Sequence, residues 1–192
     1  MSRNLAWWFG PADNRLPHGD GREVAVGVTH TVGGPLVLCE RGLHWSENIL
    51  EALEYAGGAM LWRVRYSGDV VRGDDKGCST ERTYVRGAHA GDMLRHFARL
   101  CALDVVGLWD APDVVVRYLR TGDESLRTGA WAGASADAGA DAGAAAKSAA
   151  WAAAGAAWVA SRAASRATPS AAARAVQSRR LTRMARELLR TA

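Results

Sequence analysis

The sharpest alternation in the chain is AMLWRVRY at 59–66. Met60, Trp62, Val64 and Tyr66 share one face, and Arg63 and Arg65 share the other. A period of two with one apolar face predicts a half-buried strand. Shorter apolar runs flank it: LAWWF at 5–9, EVAVGVT at 23–29 and PLVLC at 35–39. Each reads as a strand bounded by Gly, Pro and Asp. Ser67-Gly68-Asp69 reads as a turn, RGDDKGC at 72–78 as a charged loop, and ERTYVR at 81–86 as the next strand.

The helical signals have a different period. Gly42 permits a sharp turn, and Ser46 is placed as a helix N-cap with Glu47 in the first turn. Ile49, Leu53 and Ala56 then recur at helical spacing until Gly57-Gly58 stops the run. From Asp92, the residues Met93, Phe97, Leu100 and Cys101 form one stripe. Trp109-Asp110-Ala111-Pro112 breaks the chain, and a helix resumes with Pro112 in its first turn. Thr121 and Glu124 have the spacing of a capping box. Residues 1–120 therefore predict an α+β domain, a small twisted sheet with two or three helices. Residues 121–192 predict an Ala-rich helical tail.

Charge separates the two parts. Residues 1–120 carry 14 Lys/Arg against 15 Asp/Glu, and residues 121–192 carry 10 against 5. About half the residues from Gly129 to Val176 are Ala, a low-complexity bias that favours helix. Gly129, Gly133, Gly139, Gly143 and Gly155 each cost about 1 kcal/mol in such a helix, which calls for a packing partner. Trp151 and Trp158, seven apart, would share a face. Thr168-Pro169 is placed as the start of a last helix. There Leu181, Met184, Ala185 and Leu188 lie on one side. Arg179, Arg183, Arg186 and Arg190 lie on the other, spaced four, three and four. One-signed regularity of this kind suits an anionic partner, nucleic acid or an acidic protein surface. The apolar side would dock on the protein or on a second copy.

Composition excludes several classes. Cys39, Cys78 and Cys101 are odd in number and far apart, with no CxxC pair. That argues against a disulfide framework and a structural zinc site, and for a reducing, cytoplasmic setting. The N-terminal MSRNLAWWFGPADNR has no long apolar run and does not read as a secretory signal. The Ala-rich segment contains Asp137, Asp141, Lys147, Arg162 and Arg166, too many charges for a membrane span. Asp74-Asp75-Lys76 supplies too few oxygens for a metal. GGP, GDGR and RGDD match no phosphate-loop pattern. No metal is expected.

Chemistry concentrates in CERGLHWSEN at 39–48. The longer run GLHWSENILEALEYAGGAMLWRVRYSGDVVR resembles the central segment of the ADP-ribosyltransferase fold. That resemblance implies NAD as a cofactor, held by Gly42, His44, Trp45 and Tyr55. His44 stands where the family has a nicotinamide-stacking Tyr. Glu81, ahead of Thr83-Tyr84-Val85, stands nearest the family's catalytic Glu, making His44 and Glu81 the catalytic candidates. His30, 14 residues before His44, stands nearest the family's first NAD-binding position. A second likeness covers more of the chain. LVLCERGLHWSENILEALEYA, VRGDDK, ALDVVGLWDAPDVVVRYLRTGDESLR and the closing QSRRLTRM are similar to a group of uncharacterised phage and bacterial proteins.

Two functions follow as expectations. The first is a phage or mobile-element accessory protein that needs no cofactor and binds through its basic tail. The alternative is a divergent NAD-dependent enzyme. Against every site reading stands a plainer one, in which His44 and Trp45 are core residues, Glu81 a solvated carboxylate, Cys39 an inert thiol and the arginines a solubilising face.

Overall fold

The computed structural model describes residues 4–108, 110–135 and 171–192. Trp109, the Trp151/Trp158 pair and the Thr168-Pro169 boundary lie outside them. The architecture is α+β. Its strands are β1 (Leu5–Gly10), β2 (Thr29–Thr31), β3 (Leu43–Trp45), β4 (Met60–Arg72) and β5 (Gly77–His89). Among the described residues the helices are α1 (Ile49–Glu54), α2 (Gly91–Leu103), α3 (Asp113–Thr121), α4 (Arg127–Ser135) and α5 (Ala171–Thr191), with short 3-10 turns at Val106–Leu108 and Glu124–Leu126. The chain groups into two compact units, residues 1–90 with 182–192, and residues 91–181.

In the first unit, β4 and β5 form a long antiparallel hairpin. Two register shifts, one beside Arg63/Val64 and one between Ser67 and Val70, bend it. The expected turn at Ser67-Gly68-Asp69 is the second of these irregularities, and β4 runs through it to Arg72. β1 pairs with the first half of β4, while β3 and β2 pair in succession with the outer edge of β5. Ser46, one residue past β3, exchanges both backbone hydrogen bonds with Trp7 of β1, at 2.8 and 3.1 Å. The order β1–β4–β5–β3 thus returns to β1, and the sheet closes at a single bridge.

Ala6, Leu43, Trp45, Trp62, Val64, Tyr66 and Tyr84 fill one face of this curved sheet, joined by Leu16 and Val24 from the loops. Trp62, Val64 and Tyr66 are buried and Arg65 is exposed, as the alternation predicts. Two indoles are accommodated by glycines directly across the ladder. Trp62 faces Gly87 and Trp45 faces Gly77, and a Cβ at either glycine would lie 2.5 Å from the ring. Trp45 also stacks on Tyr66, with centroids 3.8 Å apart.

Two predicted strands are absent. Within 23–29 the chain makes an isolated bridge from Glu23 to Arg15 and then a turn with Gly27 left-handed, and a strand forms only from Thr29. PLVLC is a turn closed by the Val37–Arg41 bridge, with Cys39 left-handed at φ 71°. The N-cap of α1 is Asn48, whose side chain accepts from Leu50 N–H at 2.9 Å. Ser46 cannot cap, because its backbone serves the Trp7 bridge. At α3, Pro112 is itself the N-cap. Asp123, in place of Thr121, caps the following turn.

In the second unit, Leu94, Phe97, Ala98 and Cys101 of α2 and Val115, Tyr118 and Leu119 of α3 are buried. Arg180, on the first half of α5, makes a two-pronged ion pair with Asp104 at 2.7 and 3.0 Å. The last turns of α5 belong to the first unit, where Arg86 donates to the Leu189 carbonyl at 2.7 Å.

Candidate functional site

The single bridge between β1 and β3 has a consequence for the first unit. Past Trp7, the chain of β1 continues alongside the residues that precede Ser46, and no further bridge joins them. Trp8 and Phe9 on one side and Gly42 to Trp45 on the other line a cleft of 810 Å³. That is the size of a small-molecule site. Tyr55 and Lys76 lie in its wall, with Leu16, Val32 and Cys39 from the loops.

Arg82 of β5 also lines the cleft, although only 2% of its surface is exposed. The guanidinium lies over the Trp8 ring at 4.2 Å and near the Tyr84 ring at 5.1 Å. Its Nε and one terminal nitrogen donate to the Tyr84 hydroxyl, at 3.2 and 2.7 Å. The other terminal nitrogen donates to the His44 carbonyl at 2.5 Å. No carboxylate forms an ion pair with it among the described residues. Burial pushes its pKa down, but a guanidinium stays charged in proteins. The site therefore holds a buried positive charge compensated by ring faces, a hydroxyl and a carbonyl.

Tyr84 is the hub beneath it. It is fully buried and meets Trp62 edge-on at 5.4 Å and His30 edge-on at 5.2 Å. Its hydroxyl also shares a 3.0 Å hydrogen bond with His30 Nδ1. Burial raises its pKa, so the phenol stays protonated. Burial, then Arg22, lowers the pKa of His30.

His44 is partly buried and holds the turn before β3. Its Nε2 accepts the Cys39 N–H at 3.0 Å, which requires an unprotonated nitrogen there. Burial first, then Lys76 and Arg82, push its pKa down, against a backbone hydrogen bond with Gly42. A neutral imidazole with Nε2 occupied positions the loop and has no free base to offer a substrate. Lys76 lies over the Tyr55 ring at 3.9 Å. The Cys39 thiol and the Tyr55 hydroxyl beside it raise its pKa. The Tyr55 hydroxyl bonds to Asp75, and that bond raises the phenol's pKa.

The structure brings Gly42, His44, Trp45 and Tyr55 to this one cleft. Glu81 is not among its lining residues. It alternates with Arg82 along β5 and accepts from Ser67 Oγ at 2.6 Å. Arg82 and Trp8 carry no site motif in the sequence, and Lys76 lies in the charged loop that reads as an exposed turn. The available signal was that Arg82 and Tyr84 share one face of β5, so an arginine lies in phase with an aromatic.

On α5, Arg179, Arg183, Arg186 and Arg190 are all exposed, while Leu181, Ala185 and Leu189 are buried. At 3.6 residues per turn the four arginines fall within an arc of about 60° and span about 17 Å of helix. None forms an ion pair among the described residues.

Residues 21–96 match the family model described as a domain of unknown function, DUF7666. The match contains His44, Trp45, Tyr55, Lys76 and Arg82, and excludes Trp8 and α5. No curated protein and no solved structure matches the chain. Among the described residues, no helix is long and apolar enough to cross a membrane, and no cluster of His, Cys, Asp and Glu could hold a metal.

Proposed function

We propose that the protein is a binding module whose α5 arginine face holds a nucleic-acid backbone. The observation that carries this reading is the set of four exposed, unpaired guanidinium groups on one face of a helix anchored by its opposite face. Like charges at i,i+3 and i,i+4 weaken a helix by about 0.2–0.5 kcal/mol per pair. The arrangement has three such pairs, and none of the four arginines forms an ion pair among the described residues. Guanidinium groups are the preferred donors to phosphate oxygens. The stripe offers no shape for reading base edges, so binding is indifferent to sequence. What supports a phage or mobile-element setting is the similarity carried by LVLCERGLHWSENILEALEYA and the closing QSRRLTRM.

Duplex DNA titrated at several salt concentrations tests the reading. If all four arginines meet phosphates, the log-log slope is about −3.6. Replacing all four with Gln flattens it. Unchanged affinity in that variant overturns the proposal. Binding without salt dependence points to an acidic protein surface instead.

One observation favours a second reading, the NAD-dependent enzyme: Gly42, His44, Trp45 and Tyr55 line one cleft. Glu81 lies outside that lining, so the carboxylate that the resemblance puts in the catalytic role is not at the cleft. Incubation with NAD and measurement of free nicotinamide decides it, and no release rules the reading out.

A further inference from the structure

The strongest unexplained feature of the first unit is the charge on Arg82. A buried guanidinium without a carboxylate is costly, because its desolvation is only partly repaid by ring faces and neutral acceptors. Of its five N–H donors, the hydrogen bonds to Tyr84 and His44 use three. The remaining two belong to a side chain that is 2% exposed and is among those lining an 810 Å³ cleft. Two carboxylates also line that cleft. Asp20 is neutralised by a two-pronged contact with Arg22, at 2.7 and 2.8 Å, and Glu40 is exposed at the rim. The second cation of the lining, Lys76, has no ion pair among the described residues either. Apolar wall comes from Trp8, Phe9, Leu43 and Val32.

We propose that the cleft between β1 and β3 binds a small molecule carrying an oxyanion, phosphate or carboxylate, seated on Arg82. The oxyanion supplies the counter-charge the fold withholds and takes the unused N–H donors. The apolar walls take the rest of the ligand. One N–H is left on each terminal nitrogen, and a charged N–H is a strong donor to a phosphate or carboxylate oxygen. Tyr84 and the His44 carbonyl hold its plane, so little side-chain entropy is lost on binding. The inference stands on the first unit alone and does not depend on the α5 reading.

The test uses the full chain and three probes, with binding followed by the indole N–H resonances of Trp8 and Trp45. The probes are AMP for a phosphate ester, benzoate for a carboxylate, and adenosine as the uncharged control. AMP or benzoate is expected to saturate with shifts at Trp8 and Trp45, and adenosine to bind at least tenfold more weakly than AMP. Which of the two anions binds tighter assigns the source of the oxyanion. Arg82→Gln is expected to lose at least tenfold in affinity for that anion. The fourfold Gln variant of α5 is expected to keep it, which separates this site from the polyanion face. Absence of saturable shifts with either anion at 10 mM and low salt overturns the proposal. So does equal binding of AMP and adenosine with no response to benzoate, or unchanged affinity in a folded Arg82→Gln. If that variant does not fold, Lys76→Gln replaces it. A weakening of at least threefold there supports the site, and unchanged affinity overturns it.

Discussion

The Arg82 guanidinium lies 4.2 Å from the centre of the Trp8 ring, a contact between β5 and β1, two strands that do not pair with each other. Trp8→Ala removes the ring that shields a buried charge and opens the core beneath it. A loss of about 3 kcal/mol is expected, the cost of truncating a large aromatic. Trp8→Phe keeps a ring face and should cost about 1 kcal/mol. Urea midpoints at constant m-value measure both. Equal losses in the two variants would remove the cation–π contact from the account.

Two glycines give a steric prediction with a built-in control. A Cβ at Gly87 lies 2.5 Å from the ring of the buried Trp62, so the indole would have to shift. Gly87→Ala is expected to cost about 1–3 kcal/mol by overpacking. Gly57→Ala meets nothing within 4 Å. It should be neutral or gain a few tenths of a kcal/mol by stiffening the unfolded chain. Thermal unfolding of both variants checks the pair.

Two histidines contribute to the acid limb of stability. Burial pushes the pKa of His30 and His44 below the ordinary value of 6.5. The charged groups acting on them are Arg22 and Arg82, opposed by Asp20, for His30, and Lys76, Arg82 and His18 for His44. Below pH 6.5 the unfolded chain takes up protons that the folded chain refuses, so stability is full above that pH and falls as pH drops toward the folded values. The urea midpoint should decrease from pH 7.5 to pH 5. His44→Gln, whose side-chain carbonyl can still accept from Cys39 N–H, should show a shallower decrease. An identical pH profile would exclude His44 as a contributor.

How much of this was legible beforehand depended on whether a local pattern had a competitor. The alternation of Trp62, Val64 and Tyr66 had none, and β4 carries it. The stripe from Leu181 to Leu188 held in part: α5 buries Leu181 and Ala185, but Leu189 in place of Leu188, and Met184 is half-buried. PLVLC has strand composition, but the Val37–Arg41 bridge and the His44 bond to Cys39 N–H fold it into a turn. That outcome depends on a partner five residues away. Ser46 is as good a cap as Asn48 by type. Only the pairing with Trp7, 39 positions earlier, takes it out of competition. Of the candidate site, Gly42 to Tyr55 was legible because those residues are close in sequence. Arg82 was not, since alternation on β5 assigns it a face without saying which face is interior.

Thiol reactivity distinguishes the three cysteines. Cys39 is exposed, whereas Cys78 and Cys101 are buried, and burial pushes the Cys101 thiol up to about 12. Native protein treated with a maleimide should therefore label rapidly at Cys39 alone, and denatured protein at all three. Fast labelling of Cys78 in the native state would mean that the β3–β5 edge opens.

The arginine face makes a prediction in which stability and binding part company. Arg179/Arg183, Arg183/Arg186 and Arg186/Arg190 are like-charged pairs at helical spacing, each unfavourable by about 0.2–0.5 kcal/mol. Against them stand the spacings Arg183/Glu187 and Glu187/Arg190, attractive by similar amounts, and the favourable placement of cations near the helix C-terminus. These contributions nearly cancel. Gln has nearly the helix propensity of Arg, and Leu181, Ala185 and Leu189, which anchor the helix, are untouched. Replacing all four arginines with Gln should then change unfolding free energy by less than about 1 kcal/mol while removing salt-dependent DNA binding. Circular dichroism and urea unfolding read the first effect, and fluorescence anisotropy with labelled duplex reads the second. A loss well beyond 1 kcal/mol would mean that the arginines serve the fold. The salt slope would then have to be measured on single substitutions before any of them could be assigned to a phosphate.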